Sequence, residues 1–598
     1  MAAHSVYGAG AVVEPAPTPL DDLARSLPGP TTSGRGGVPA GSTRVLSRAD
    51  LVAHAAIGVL WLVVNAAFWA YWIPAARGGD AVLAVAASAA VGYQACFLPT
   101  VFWAFVGRMR RPVHRAPTAD LRVAVITLCV PSLEAMEVIE RQLEALSAIT
   151  YPHDSWVLDE GGSDEVRRLA ARHGVRYFSR KGIDRWNREG PPFQARTKAG
   201  NVNAWLGHVR ALGLDYEAFV QLDVDHRPVP EYLDRVLGHL DDPEVAWVQA
   251  PSVCRNLDRW TARGLAEQEV VLQGPLQMGF YGATSTPFII GSHTTYRTSA
   301  VRQIGGFQPT RAEDHLDTVV LAAEGFRGVF VPEVLARGDG PEDLRTYARQ
   351  QYAWAHSMVT VFLHWTPRLL PRYAPRQALQ FLFSQSWYVL WSLSLLAMWV
   401  LPLAAAVSDR RIADTTLLEY VLHVLPVALA GWLMWSFARP WFQPEGVGLS
   451  WRGAVLAVLR WPVVLWAMAS VVLRIKRPYM VTPKGRRAGA SGAAHQGLVH
   501  GPLAVLAALA FGAVWVAGWA SGDDGRSYAL LVMVNGLLPL LALGVAVVLD
   551  VVAVREASGS TATALRAGAV SLLVTCALVA AAAATTVVQW DVVRAAVS

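Results

Sequence analysis

The sequence predicts a multi-pass α-helical membrane protein that carries one cytoplasmic α/β domain. Three observations predict it. The 598 residues are 53% hydrophobic and only 16% charged, a balance outside both ordinary soluble proteins and disordered chains. Apolar runs of span length lie on both sides of a central segment. Within that segment the runs shorten to strand length and alternate with helix-like stretches. The net charge of +6 comes largely from basic residues beside apolar runs, which points to membrane topology and not to nucleic acid. Cys96, Cys129, Cys254 and Cys576 are too scattered for a zinc site or a disulfide framework.

Residues 1–48 are rich in Pro, Gly, Ser and Ala without periodicity and read as a disordered cytoplasmic tail. No short apolar core precedes a small-residue cleavage site, so no signal peptide is expected. Residues 49–107 hold two spans, at about 51–74 and 81–106, each long enough for a hydrocarbon core of roughly 30 Å. Arg108, Arg110, Arg111 and Arg115 follow the second and place what comes next, residues 108–376, in the cytoplasm. Two spans follow in 377–452 (378–407 and 417–437) and three in 501–598 (501–520, 528–550 and 566–588). Segment 453–473 is also apolar, but basic residues bracket it and Arg460 lies inside it. It is therefore expected to lie in the cytoplasmic interface, as part of a unit 453–500, which leaves seven spans and not eight.

The central domain alternates VAVITLCV, a helix over about 134–148, WVLDEGG, a second helix and VRYFSR. That pattern implies a parallel sheet with ligands at the carboxyl ends of its strands. Asp159 ends one such strand. FVQLDVDHRP, residues 219–228, ends another and delivers Asp223, Asp225 and His226 at a Pro-containing turn. Two carboxylates at that spacing can converge on a hard divalent cation, and they equally suit a solvated turn. KAGNVN (198–203) is small, amide-rich and begins with Lys198, a composition suited to phosphates. Gly291 in IIGSHTTYR (289–297) permits close backbone approach, and AEDHLD (312–317) places carboxylates at a helix start.

Together these segments resemble a family 2 glycosyltransferase with a GT-A (Rossmann-like) fold, in the membrane-bound branch that includes bacterial cellulose synthase. The resemblance rests on residues 131–166, KAGN, LDVDH, GSHTTYR with IGGF, AED and QQYAW (350–354), and covers about 123–361. It implies that Asp159 and Lys198 bind the nucleotide. It implies that Asp223 and Asp225 hold a UDP-sugar through Mg²⁺ or Mn²⁺, with His226 near the diphosphate, and that Asp314 is the general base. Trp354, Gln350, His293 and Glu313 are then expected at the acceptor. KRPYMVTPKG (476–485) resembles a gating loop, with Tyr479, Val481, Thr482 and Lys484 in the matching positions and Thr482 and Lys484 near the phosphates. As a basic juxtamembrane linker it would equally attract anionic lipid.

Two positions depart from the family pattern. Ala353 stands where Q-x-x-R-W has Arg, which removes a potential bidentate phosphate contact, and Ala312 stands for the Thr of TED. His293 is either a specificity residue or a hydrogen-bonded structural one. In 378–400, Gln380, Ser384, Gln385, Ser386, Trp387, Tyr388, Trp391 and Ser392 could line a sugar channel or form an interfacial belt.

The resemblance implies a processive, inverting, UDP-sugar-dependent polysaccharide synthase at the plasma membrane, most simply making a β-glucan and translocating it. The alternatives are a non-processive transferase acting on a lipid or short acceptor, and a non-catalytic membrane scaffold that keeps the fold. Expected partners are the UDP-sugar donor, the growing polysaccharide and the bilayer. An accessory secretion subunit or a homo-oligomer is compatible with the family, and nucleic acid is not expected.

Overall fold

Strand formation in the central domain follows from runs that are apolar on both faces. The first, Val123–Cys129, is buried at every residue but Leu128, as a strand covered by helices on two sides must be. The computed structural model describes residues 39, 41–308, 313–441, 450–475 and 493–595. Its main sheet has seven strands: β1 (Val123–Cys129), β2 (Asp154–Asp159), β3 (Arg176–Phe178), β4 (Ala218–Asp223), β5 (Val245–Gln249), β6 (Thr294–Arg297) and β7 (Arg327–Phe330). They lie in the order β7-β5-β6-β4-β1-β2-β3. All neighbours are parallel except β6, which runs antiparallel to β4 and β5. The α/β domain is therefore GT-A-like with a mixed sheet, where alternation alone suggested a parallel one.

Register fixes the chemistry at one edge. Leu128 of β1 pairs with Leu158 of β2 and with Asp223 of β4, so the carboxylates that end β2 and β4 reach the same rim. Helix Met136–Ser147 covers one sheet face with Val138, Ile139, Leu143 and Leu146, spaced for a single helical stripe. Helix Lys198–Ala211 starts where the Thr197 hydroxyl accepts the Gly200 amide, and it buries Val202, Trp205 and Val209. A small sheet of Arg227–Pro228, Ala336–Gly338 and Val253–Cys254 sits beyond the end of β4.

Among the described residues, eight helices are long and apolar enough to cross a membrane: Arg48–Arg77, Ala81–Val106, Pro375–Ser408, Leu417–Trp441, Trp451–Val472, Gln496–Ala520, Asp523–Ser558 and Thr561–Val588. Each of the seven expected spans lies within one of them. The eighth, Trp451–Val472, is the segment expected to be interfacial. It docks on the α/β domain, with Gly453 receiving Gln268 Nε2 at its carbonyl (2.9 Å) and donating its amide to Glu267 Oε2 (3.0 Å). A side chain at Gly264 would meet Leu456 at 2.6 Å, so glycine permits the close crossing of helix Trp260–Val271 over it. Helix Leu344–Thr360, capped by Asp343, packs along the same element through Tyr347, whose hydroxyl donates to the Leu456 carbonyl at 3.3 Å.

Candidate active site

Strand β4 ends by pointing Asp223 into a cleft of about 920 Å³, and the turn after it adds Asp225 and His226 to the same wall. The Asp223 amide donates to Ser292 Oγ (3.1 Å), while its Oδ1 accepts from Lys198 Nζ (2.9 Å) and Gln221 Nε2 (3.2 Å). Burial opposes its ionisation, but the Lys198 ammonium and His226 outweigh that and hold the carboxyl below its usual range. Asp225 is fully buried; its Oδ2 accepts the Asp339 amide (3.0 Å) and its Oδ1 lies 3.4 Å from His226 Nδ1. His226 is oriented by Ser252 Oγ at Nε2 (3.1 Å). One ligand atom from each of these three side chains lies within 4.8 Å of the others. Two carboxylate oxygens and an imidazole nitrogen form a donor set that suits Mn²⁺, and Mg²⁺ with waters and phosphate oxygens completing the shell.

Lys198 joins this cluster to a second one. Its ammonium also contacts the Gly291 carbonyl and lies 3.3 Å from Glu313, the nearly buried first residue of helix Glu313–Ala323. Asp314 follows, with Oδ1 accepting the His315 amide (2.8 Å). Gly291 has φ +78°, and a Cβ there would stand 2.8 Å from Asp314 Oδ2, so glycine is what lets the loop before β6 and the acid approach. Burial first, and then the neighbouring Glu313 carboxylate, push Asp314 up to about 7. A carboxyl in that range is matched to accepting a proton near neutrality. Behind it, Asp317 accepts the Gln308 amide (2.8 Å) and is pushed far up by burial, and His315 is held neutral by burial, its Nε2 3.0 Å from Gln385.

Lys198, Asp223, Asp225, His226, Glu313, Asp314, Gln350 and Trp354 thus share one cleft. Asp159 does not line it. Its carboxylate is fully buried, accepting the Gly161 amide (2.7 Å), the Ser163 amide (2.5 Å) and the Tyr177 hydroxyl (2.9 Å). The acid of that strand end that reaches the cleft is the next residue, Glu160, which pattern reading passed over. It forms a two-pronged pair with fully buried Arg180 (2.9 and 2.8 Å), whose guanidinium also holds the carbonyls of Gln194 and Thr197 and so positions the start of the Lys198 helix.

His293 is also absent from the cleft wall. It is fully buried at φ +41°, with Nε2 2.9 Å from the Ala250 carbonyl and its ring 5.6 Å from that of His226. Burial holds it neutral, down to about 3, and it bonds to backbone behind the cleft wall. Helix Leu344–Thr360 presents Gln350, Ala353, Trp354 and Ser357 to the cleft, positions of one helical face, while Gln351 points the other way to Arg460 (3.3 Å). The short side chain of Ala353 leaves open the space an Arg would fill. Of the polar and aromatic residues singled out in 378–400, Tyr388 lines the cleft, whereas Gln380 bonds Thr284 and Thr286 of the α/β domain. Ala312 and the loop positions Tyr479, Val481, Thr482 and Lys484 lie outside the described residues.

The family model described as Glycosyl transferase family group 2 matches residues 218–436. A cellulose synthase 1 catalytic subunit (UDP-forming) of Komagataeibacter xylinus is 28% identical over 269 residues, 42% of this chain and 33% of that protein. A probable glucomannan 4-beta-mannosyltransferase of Arabidopsis thaliana is 24% identical over 262 residues, 42% of this chain and 47% of that one. The matches thus span about a third to a half of those relatives. Among solved structures, a mannosyltransferase from Pyrobaculum calidifontis in complex with GDP-Man and Mn²⁺ shares 19% identity at a TM-score of 0.45, covering 66% of this chain and all of that one. Residues 218–436 thus match the family 2 glycosyltransferase model, and the chain resembles the catalytic subunits of cellulose synthase.

Proposed function

We propose that this protein is a processive, inverting glycosyltransferase that uses a UDP-sugar, most simply UDP-glucose, to elongate a β-linked polysaccharide and pass it across the plasma membrane. The observation that carries the reading is the union, through Lys198, of the Asp223, Asp225 and His226 cluster with Asp314 in one cleft that continues to Trp354 and Tyr388. Asp223, Asp225 and His226 would hold the donor diphosphate by way of Mg²⁺ or Mn²⁺, which offsets the charge on the departing UDP. Asp314 takes the proton of the acceptor hydroxyl as that oxygen attacks the anomeric carbon. The bond to the diphosphate breaks on the opposite face, so one displacement inverts the centre. Trp354 offers an aromatic face to the acceptor ring. Thr482 and Lys484 are assigned to the phosphates by resemblance.

The purified full chain in detergent, with Mg²⁺ or Mn²⁺ and radiolabelled UDP-glucose, UDP-N-acetylglucosamine, UDP-glucuronate or GDP-mannose, tests the proposal. A long polymer from a UDP-sugar supports it, and Asp314→Asn should lower kcat by about 10²–10⁴-fold with UDP binding retained. A single-sugar product would assign the chain to the non-processive class. No nucleotide release from any donor, unchanged in Asp314→Asn, would leave only the scaffold.

A further inference from the structure

Helix Trp260–Val271 carries two acids two residues apart, and they have different fates. Glu267 is spent on structure: its Oε1 lies 3.2 Å from Arg452 and its Oε2 takes the Gly453 amide. Glu269 points away from that crossing and lines the cleft beside Gln273, Trp354, Ser357 and Tyr388. Its Oε2 takes one long hydrogen bond, from Gln273 Nε2 at 3.4 Å. The cation nearest in the fold, Arg460, is committed elsewhere: its guanidinium lies 4.8 Å from the Trp387 ring and 5.0 Å from the Trp391 ring, and it donates to Gln351. Burial pushes Glu269 up to about 7, against the opposing pull of Gln273 and Arg460.

Two connections place Glu269 relative to the reacting centre. Gln273 passes from it to the metal-binding cluster, since Gln273 Oε1 accepts the Ser252 amide (2.9 Å) and Ser252 Oγ bonds His226 Nε2 (3.1 Å). Tyr388 lines the same cleft as both Glu269 and Asp314. Glu269 therefore shares with Trp354, Ser357 and the long-helix residue Tyr388 a cleft wall that also holds Asp314.

We propose that Glu269 is an acceptor-recognition residue whose carboxyl hydrogen-bonds the hydroxyls of a neutral sugar unit behind the reacting one and discriminates against acceptors bearing uronate carboxylates. The inference rests on the transferase reading above. A carboxyl accepts well from adjacent sugar hydroxyls, and the rings of Trp354 and Tyr388 cover the apolar sugar faces. A uronate in the same place would bring two carboxyl groups together in a poorly hydrated cleft, which is strongly unfavourable.

The test titrates the full chain in detergent with UDP, with a neutral β-linked glucose tetrasaccharide, and with the same tetrasaccharide oxidised to uronates. Wild type should prefer the neutral sugar. Glu269→Ala should weaken neutral tetrasaccharide binding roughly tenfold and leave UDP binding within about twofold, near the error of such a measurement. Glu269→Gln, which keeps hydrogen bonding and shape, should hold neutral binding near wild type but erase most of the discrimination. Equal loss of UDP and sugar binding, unchanged sugar binding in Glu269→Ala, or undiminished discrimination in Glu269→Gln would each overturn the proposal. If Glu269→Ala does not fold, the Gln variant decides. A wild-type chain that transfers sugar but binds no tetrasaccharide sinks this inference alone; one that neither binds UDP nor transfers sugar sinks the reading beneath it.

Discussion

Two clusters of buried ionisable groups in this molecule are arranged in opposite ways. In the unit of helices Gln496–Ala520, Asp523–Ser558 and Thr561–Val588, His500 and Asp550 lie 3.3 Å apart, each about 5% exposed, and His500 Nδ1 is 3.0 Å from Ser571 Oγ. An acid and an imidazole from two helices meet there, and a hydroxyl from the third joins them. In the cleft, Asp223, Glu313 and Asp314 crowd around the single ammonium of Lys198, with Asp225 and Asp317 close behind. Polar side chains that meet between packed helices fasten them. Excess negative charge on a cavity wall leaves a site ready for a cation and poised to take up a proton.

Paired substitutions would sharpen that contrast most. Asp550→Ala alone removes the acid from a buried polar contact and should cost about 1–3 kcal/mol, whereas the double change His500→Leu with Asp550→Leu should recover most of it in thermal melts in detergent. The matching pair in the cleft, Lys198→Met with Asp223→Leu, should leave a folded chain without transfer. Recovery of transfer would show that the two clusters serve the same structural purpose.

The second contrast is in pH. As the proposed base Asp314 must be ionised to act, and burial pushes its carboxyl up to about 7, so kcat should fall up to tenfold per unit below pH 7. Its raised value means that the folded state holds the proton more tightly than the unfolded one. The associated stability is complete below about pH 4 and is lost as pH rises through 7. Asp314→Asn should remove that slope, and a flat kcat between pH 5.5 and 7 in the wild type would speak against Asp314 as the base.

The smallest expected effect separates two neighbouring acids. Asp159→Asn loses charge-assisted bonds from two amides and should cost about 1–2 kcal/mol while the UDP affinity changes little. A tenfold loss of UDP affinity without a loss of stability would instead make Asp159 a direct nucleotide contact.

The α/β domain was legible because its strands are apolar on both faces and end in acids, and because register brings β2 and β4 to the same rim. The reversal of β6 was not, since nothing in TTYR announces direction. Nor was the placing of Glu160, and not Asp159, on the cleft wall: at a strand end a single residue step decides whether a carboxylate turns into the loop or out to the cleft. His293 looked eligible as an acceptor residue because only the folded loop, at positive φ, shows it sealed behind His226. Glu269 read as one more acid on a helix. What distinguishes it is the neighbour two residues back, which takes the available Arg452.

The cleft wall is drawn from both halves of the chain. Tyr388, Pro440 and Trp441 belong to two of the long apolar helices, and they face the same space as Asp314. The catalytic unit is therefore not a severable module. A version cut after the α/β domain would keep its acids but open one side of the reaction chamber to bulk water, and the lipid or detergent around those helices becomes a component of the active site's own architecture.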